Sequence, residues 1–361
     1  MSDARFQGNP EMTEVKNTRE LYETVFYQDE PPFVDYYFEQ KSTDTTAYVL
    51  RDGNTTAAMI HLNPYQAVFH SASGKEKIQT LHYIVAVATL QEYRHQGCME
   101  KLLKKSLESL YGKGEPLAFL MPADPAIYTP YGFRYFYKGR KYRFSQGFFK
   151  DLPEKSLHIE ICQEQDLEEL AEFCNHKLAS MCQLYMKRSI PYCRLLKQEQ
   201  ICQGGNLYLI RKGEGKTGRL AGYFAWVPSE EDTKKEDTKD VDDMGIIREA
   251  LWEEEGIVEE IESPAPLIMG RILRLENFLE LFDSREEQEY LLQVTDGQIA
   301  ENNGTFLWKS GPEGSSVSRV DRTGGISFTV EDLFQNLMGF TGESRFPQQA
   351  MVKGAFIQEI V

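Results

Sequence analysis

Along the first 150 residues the spacing of apolar positions switches between helical and alternating periods, and the switches mark out the elements. From Arg19 to Lys41 the residues Leu21, Tyr22, Val25, Phe26, Phe33, Tyr36, Tyr37 and Phe38 fall near helical spacing, interrupted at Pro31-Pro32, which predicts two short helices. Alternating runs at Thr46 to Arg51, Ala57 to Leu62 and His82 to Thr89 predict an antiparallel meander, with Asp52-Gly53-Asn54 turning the first hairpin. Cys98, Met99, Leu102, Leu103, Leu107, Leu110 and Tyr111 recur on one helical face and Gly112 closes the helix. Pro116 to Met121 then reads as a strand, Ala126-Ile127-Tyr128 as a short helix after Pro125, and Phe133 to Phe144 as one further strand.

A second unit begins near His158, with an amphipathic helix at Asp166, Leu167, Leu170 and Phe173 and strands at Asn206 to Arg211 and Gly222 to Trp226. Ser229 to Asp243 is charged and almost free of apolar residues, as in a mobile insertion. After Ile261 to Pro266 a third unit reads as a helix at Leu275 to Phe282, strands at Tyr290 to Thr295 and Gly304 to Trp308, and a helix from Val330 to Met338. The expected boundaries are 1–150, 151–262 and 263–361. The last stretch, Gln349 to Val361, is apolar to its final residue, which suggests that it is buried.

Composition narrows the function. A hydrophobic fraction of 41% supports packed cores, and 361 residues suit two or three domains. The net charge of −16 repels phosphate backbones and anionic lipid surfaces, so neither nucleic acid nor membrane is an expected partner. That field either attracts cationic small molecules or serves solubility alone. The cysteines Cys98, Cys162, Cys174, Cys182, Cys193 and Cys202 form no CxxC pair or zinc spacing, so no metal is expected. No signal-like or membrane-spanning run appears, and a cytoplasmic protein with reduced thiols is expected.

The stretch Val85 to Met99 carries the chemistry: a strand runs through a polar loop into the Cys98 helix. Unpaired N–H groups and about half a positive charge at a helix start suit a pyrophosphate. Gly97 allows close backbone approach, Arg94 can add charge-assisted hydrogen bonds, and backbone groups of Val87 to Thr89 can pair with an extended pantetheine arm. The pattern V-x-T-x4-R-x-x-G, followed by Ile127-Tyr128-Thr129-Pro130-Tyr131-Gly132-Phe133, resembles the GNAT superfamily of N-acetyltransferases. The three-part layout is similar to the enhanced-intracellular-survival acetyltransferases.

That resemblance implies an α+β fold class: tandem GNAT-like α/β folds with mixed, mostly antiparallel sheets, the second degenerate, and a sterol-carrier-protein-like C-terminal domain. It implies acetyl-CoA as cosubstrate, a cationic amine acceptor of the aminoglycoside, polyamine or lysine kind, and a homo-oligomer, with a hexamer as the family's assembly. Val87, Ala88 and Thr89 would hold the pantetheine, and Arg94, His95, Gln96, Gly97, Cys98, Met99 and Glu100 would form the pyrophosphate loop. Ala123 and Asp124 would touch the cofactor, Tyr128 would be the general acid, and the terminal carboxylate of Val361 the general base. The family's second loop glycine is Met99 here, and the loop has one arginine.

Other residues compete for chemistry. Cys98 at a helix start could have a lowered pKa and act as a nucleophile, though no base accompanies it in sequence. Asp29, Glu30, Asp35, Tyr36, Tyr37 and Phe38 could line a pocket for a cationic acceptor, or belong to a solvated loop and a helix core. The alternative to an enzyme is a non-catalytic acyl-CoA or lipid binding protein.

Overall fold

The computed structural model describes residues 6–145, 149, 152, 155–213, 218–229, 245–253, 257–261, 265–339, 345–346, 352 and 354–358. In chain order it begins with β1 (Glu11–Thr13), α1 (Arg19–Val25), α2 (Pro31–Tyr36), β2 (Thr46–Asp52), β3 (Thr55–His70), β4 (Glu76–Thr89) and α3 (Cys98–Gly112). It continues with β5 (Leu117–Leu120), α4 (Pro125–Tyr128), β6 (Arg134–Lys138) and β7 (Lys141–Phe144). The middle supplies β8 (Leu157–Ile161), α5 (Leu167–Met181), β9 (Leu184–Met186), α6 (Ile190–Cys202), β10 (Asn206–Lys212), β11 (Arg219–Val227), β12 (Ile246–Trp252) and β13 (Val258–Ile261). Last come β14 (Pro266–Ile272), α7 (Leu275–Leu279), β15 (Gln288–Thr295), β16 (Gly304–Gly311), β17 (Gly314–Arg319), β18 (Ile326–Thr329), α8 (Val330–Met338) and β19 (Ala355–Phe356).

Three mostly antiparallel sheets organise these elements into an α+β molecule. The first runs β1-β2-β3-β4-β5-β14-β6, with β9 on the far end of β3 and β19 beside β9. The second runs β13-β7-β12-β11-β10-β8 and the third β17-β16-β15-β18. On the first sheet, Leu102, Leu103, Leu107 and Leu110 of α3 join one core with Ile60, Leu62 and Tyr83, while Leu21, Tyr22, Val34 and Tyr37 pack with Val49, Met59, Ala86 and Ala88.

The chain crosses the divisions expected at 150 and 262. Phe133 to Phe144 is two strands in two sheets, because the chain turns at Gly139-Arg140 and carries β7 onto β12 and β13. Strand β14, beyond residue 262, lies between β5 and β6 of the first sheet. Its Gly270 leaves the room that Phe136 and Phe334 fill, since a Cβ there would stand 2.9 Å and 2.8 Å from their rings. Strands β3 and β4 are far longer than the sequence suggested. Pro64 does not end β3 because residues 63–66 pair with β4 on one edge only; β2 stops opposite Leu62 and β9 begins opposite Ala67. The insertion expected at 229–243 falls, from residue 230 on, outside the described residues.

His61, on β3 opposite Val85, is fully buried. Its Nε2 lies 2.9 Å from the Thr18 hydroxyl and its Nδ1 2.8 Å from the Tyr37 hydroxyl. Thr18 donates its own proton to the Val15 carbonyl at 2.6 Å, so it accepts from Nε2–H and leaves Nδ1 to accept from Tyr37. The ring is held neutral, and burial pushes its pKa from 6.5 down to about 3. A neutral folded ring and a protonated unfolded one set the sign: stability is complete above pH 6.5 and falls as pH drops toward about 3. His61→Gln is expected to flatten the pH dependence of urea unfolding in that window by up to about 1.4 kcal/mol per pH unit. Equal slopes for the two proteins would mean that the folded ring takes up the proton.

Candidate active site

The site begins where the first sheet forks. Strand β4 pairs with β3 along its length, but its parallel pairing to β5 is confined to Tyr83 and Phe119, whose rings stack at 5.1 Å. Beyond Tyr83 the two strands separate, and β5 turns its other edge to β14. Between Val85 and Ala88, β4 carries one residue more than β3, and Ala86 takes the left-handed conformation at φ 50°. This is a β-bulge, which bends a strand and re-aims its backbone. A non-glycine residue held there stores local strain of the kind found at functional sites.

Strand β4 runs through a turn at Gln91–Tyr93 into α3. His95 (φ 63°) and Gly97 (φ 79°) are both left-handed, which folds the loop tightly under the helix start. A Cβ on Gly97 would meet no atom within 4 Å, so the protein needs glycine here for its conformation and leaves the space above it clear. The first helical bond of α3 runs from Lys101 N–H to the Gly97 carbonyl, and Gly97 supplies no side-chain cap. The amides of Cys98, Met99 and Glu100 precede that bond and have no i−4 carbonyl in the helix, the arrangement that receives an anion. Arg94 closes the loop by donating from Nε to the Thr89 carbonyl at 3.2 Å.

Cys98 is not a nucleophile of lowered pKa. Its thiol is buried against the Tyr93 carbonyl at 3.6 Å, and desolvation pushes its pKa up. Glu100 turns its carboxylate to Lys104 at 2.7 Å.

Across the fork, Asp124 caps α4 by accepting from the Ala126 amide at 2.9 Å, and Ala123 precedes it on the segment leaving β5. Tyr128 ends α4 with its ring buried edge-on to Phe133 at 6.1 Å. Desolvation raises the Tyr128 pKa to about 12. The following turn is pinned from outside. Arg271 of β14 donates to the Tyr131 carbonyl at 2.6 Å, and its other arm pairs with Asp296 at 2.6 Å, both side chains being buried. Arg134 holds the Thr129 carbonyl at 3.0 Å.

Behind the fork, where one edge of β3 has no strand partner at residues 63–66, lies a cavity of about 320 Å³ between the first unit and α6. Its walls include Tyr65, which packs on both Tyr83 (6.4 Å) and Phe119 (6.1 Å), and Tyr192 of α6. Gln358 also lines it, held by Tyr137 at 2.7 Å and by backbone groups of Arg140 and Arg248. Val361 lies outside the described residues.

The residues expected from sequence therefore divide. Val87, Ala88 and Thr89 lie on the unpaired side of the bulged strand, Arg94 to Glu100 form the turn and helix start, and Asp124 and Tyr128 stand on the opposite side of the fork. Of the acidic and aromatic set near α2, the tyrosines turn inward, Tyr36 bonding to α6 and Tyr37 to His61, while half-buried Asp29 accepts from Tyr22 and exposed Asp35 pairs with Arg19. The cavity wall was missed, and the helical recurrence of Tyr192, Leu195, Leu196 and Glu199 was its available signal. No described group of three or more His, Cys, Asp or Glu side chains could hold a metal ion, and no described helix is long and apolar enough to cross a membrane.

Residues 9–136 match the sequence profile of the acetyltransferase (GNAT) domain. No curated protein matches the chain. Among solved structures it is similar to a probable N-acyltransferase from Enterococcus faecalis, at 17% identity and TM-score 0.70 over 92% of this chain and 90% of that one. A GCN5-related N-acetyltransferase from Anabaena variabilis aligns at 15% identity and TM-score 0.67, covering 91% and 90% of the two chains. Eis1 from Mycobacterium abscessus aligns at 13% and 0.61, covering 90% and 88%. At such identities the likeness is one of fold.

Replacing Gly97 by Ala forces a Cβ into the left-handed region at a cost of about 1–2 kcal/mol. Gly97→Ala is expected to lower the thermal midpoint modestly and to weaken acetyl-CoA binding about tenfold or more, equivalent to at least ~1.4 kcal/mol, as titration would read. Unchanged affinity would show that the loop amides do not hold the cofactor.

Proposed function

We propose that the protein, whose residues 9–136 match the acetyltransferase (GNAT) domain, moves acetyl from acetyl-CoA to a primary amine arriving as an ammonium ion. The observation that carries this reading is the bulged, unpaired edge of β4 running directly into an α3 start with no side-chain cap. The pantetheine adds to Val87, Ala88 and Thr89 as an extra strand, while the pyrophosphate takes the amides from His95 to Glu100 with Arg94 beside it. Ala123 and Asp124 flank the arm from the β5 side.

The amine must lose a proton before it attacks, and a lysine-like ammonium of pKa about 10.4 costs roughly 4.6 kcal/mol to deprotonate at pH 7. The reading assigns that proton to the Val361 carboxylate. Gln358 lines the cavity and precedes Val361 by three residues in the sequence. As the tetrahedral intermediate collapses, coenzyme A departs as a thiolate and Tyr128 donates a hydrogen bond to the sulfur. A thiol of pKa near about 8.5 takes a full proton from a phenol at about 12 only at a cost of roughly 5 kcal/mol, so Tyr128 acts chiefly by stabilising the charge.

The same reading makes the protein a cytoplasmic homo-oligomer, a hexamer by the resemblance. Its second unit is a degenerate GNAT-like partner, and its sterol-carrier-like third unit lends β14 to the first sheet.

Tyr128→Phe keeps the ring against Phe133 and removes the hydroxyl. Turnover with any accepted amine is expected to fall about 10²–10⁴-fold, with acetyl-CoA affinity unchanged. Because its pKa lies at about 12, Tyr128 stays protonated through the neutral range and puts no limb on the pH–rate profile below about pH 11. Thiol release equal to the parent's would remove Tyr128 from the chemistry.

A further inference from the structure

The charge inventory of the cavity behind the fork narrows the acceptor. Its interior anion is Glu199 of α6, whose carboxylate already accepts from Tyr36 at 3.2 Å and pairs with Lys41 at 3.4 Å, both ion-pair side chains being largely buried. The aromatic walls, which would otherwise attract a cation, already carry cations of this chain. Lys41 lies over the Tyr65 ring at 5.6 Å and Arg188 over the Tyr192 ring at 4.1 Å. Inside the cavity a polycation would meet one carboxylate, already neutralised, and occupied ring faces, despite the net charge of −16 on the whole chain.

Two charges remain at the exposed rim. Asp44 follows the helical turn after α2, and Lys187 stands between β9 and α6; both line the cavity, and neither has an ion-pair partner among the described residues. Lys187 is fixed at its backbone, where its amide donates to the Gln66 carbonyl at 2.7 Å on the edge of β3 that no strand covers. One unpaired cation and one unpaired anion at the mouth match a head group that carries both signs. Below them the wall is apolar and aromatic, formed by Pro64, Leu195 and Tyr65, and Tyr65 rests on the Tyr83–Phe119 pair that closes the fork. The volume, about 320 Å³, is at the small end for ligand sites.

Resting on the acetyltransferase reading above, we propose that the acceptor is a small amine that also bears a carboxylate, of the diamino-acid type. Lys187 takes the carboxylate and Asp44 the adjacent ammonium at the rim, the aliphatic stem crosses the Tyr65 wall, and the distal amine reaches toward the fork. In the reaction the distal ammonium gives up two protons, its nitrogen forms the new bond to the acetyl carbon, the thioester C–S bond breaks, and coenzyme A leaves as the thiol with one of those protons while the other passes to solvent.

Matched acceptors isolate the carboxylate: lysine against cadaverine and ornithine against putrescine, each pair differing by that group, with spermidine as a polycation, all followed by thiol release from acetyl-CoA on the full-length protein. The amino acids are expected to exceed their decarboxylated partners by about tenfold or more in kcat/KM. Lys187→Glu should reverse the order, depressing lysine and favouring cadaverine; since both substrates are read on the same folded variant, a folding defect cannot produce the crossing. Preference of the parent protein for spermidine or the diamines, or an equal loss for lysine and cadaverine in Lys187→Glu, would overturn the proposal while leaving the transferase standing. Absence of transfer to every amine, with acetyl-CoA bound, would overturn both.

Discussion

One strand must satisfy two partners that pull apart. Strand β4 keeps its ladder to β3 through a one-residue bulge, and gives up β5 after a single pair at Tyr83 and Phe119. Backbone hydrogen-bonding groups left beside a sheet are costly unless something pairs with them. Here that unpaired edge points along the chain into a helix start whose first amides have no i−4 carbonyl in the helix, so the same constraint produces a cleft with donors at both ends of an extended ligand. Ala86 bears the conformational strain, and the buried Thr18–His61–Tyr37 set holds the strand opposite the bulge to the helices above it.

The rest of the chain braces that fork. On one side, β14 fills the place between β5 and β6, and its Arg271 carries a buried ion pair from Asp296 to the turn after Tyr128. A buried pair of this kind is weak as a source of net stability, but loss of one partner leaves an uncompensated charge, so it fixes geometry firmly. On the other side, buried Arg188 pairs with Glu249 at 3.0 Å and lays its guanidinium against Tyr192 and against Phe356 of β19. The second unit shows no helix after β11 or β12 among the described residues. It contributes a cavity wall and a seat for the C-terminal strand.

Local patterns in the sequence were good guides to local structure. The α3 heptad-like face, the hairpin at Gly53 and the turn ending at Gly132 all depend on neighbours a few residues away, and the chain shows them directly. What depends on distant partners was not legible. Asn63-Pro64 reads as a strand end, yet Pro64 is tolerated because β3 has no second neighbour there, a fact set by where β2 and β9 stop. Phe133 to Phe144 reads as one strand because its two ends alternate, yet Lys138 to Lys141 interrupts the alternation and the two halves serve two sheets. The charge balance of the cavity was hidden for the same reason: Lys41 and Glu199 are 158 positions apart, and their pairing exists only after α2 meets α6.

Amide hydrogen exchange with and without acetyl-CoA tests most directly whether the fork is the cofactor site. The account predicts protection on binding at the amides of Val87 to Thr89 and of Gly97 to Glu100, with β12 of the second unit unaffected. Binding that leaves those amides exchanging at their free rates, or that protects β12 instead, would contradict it.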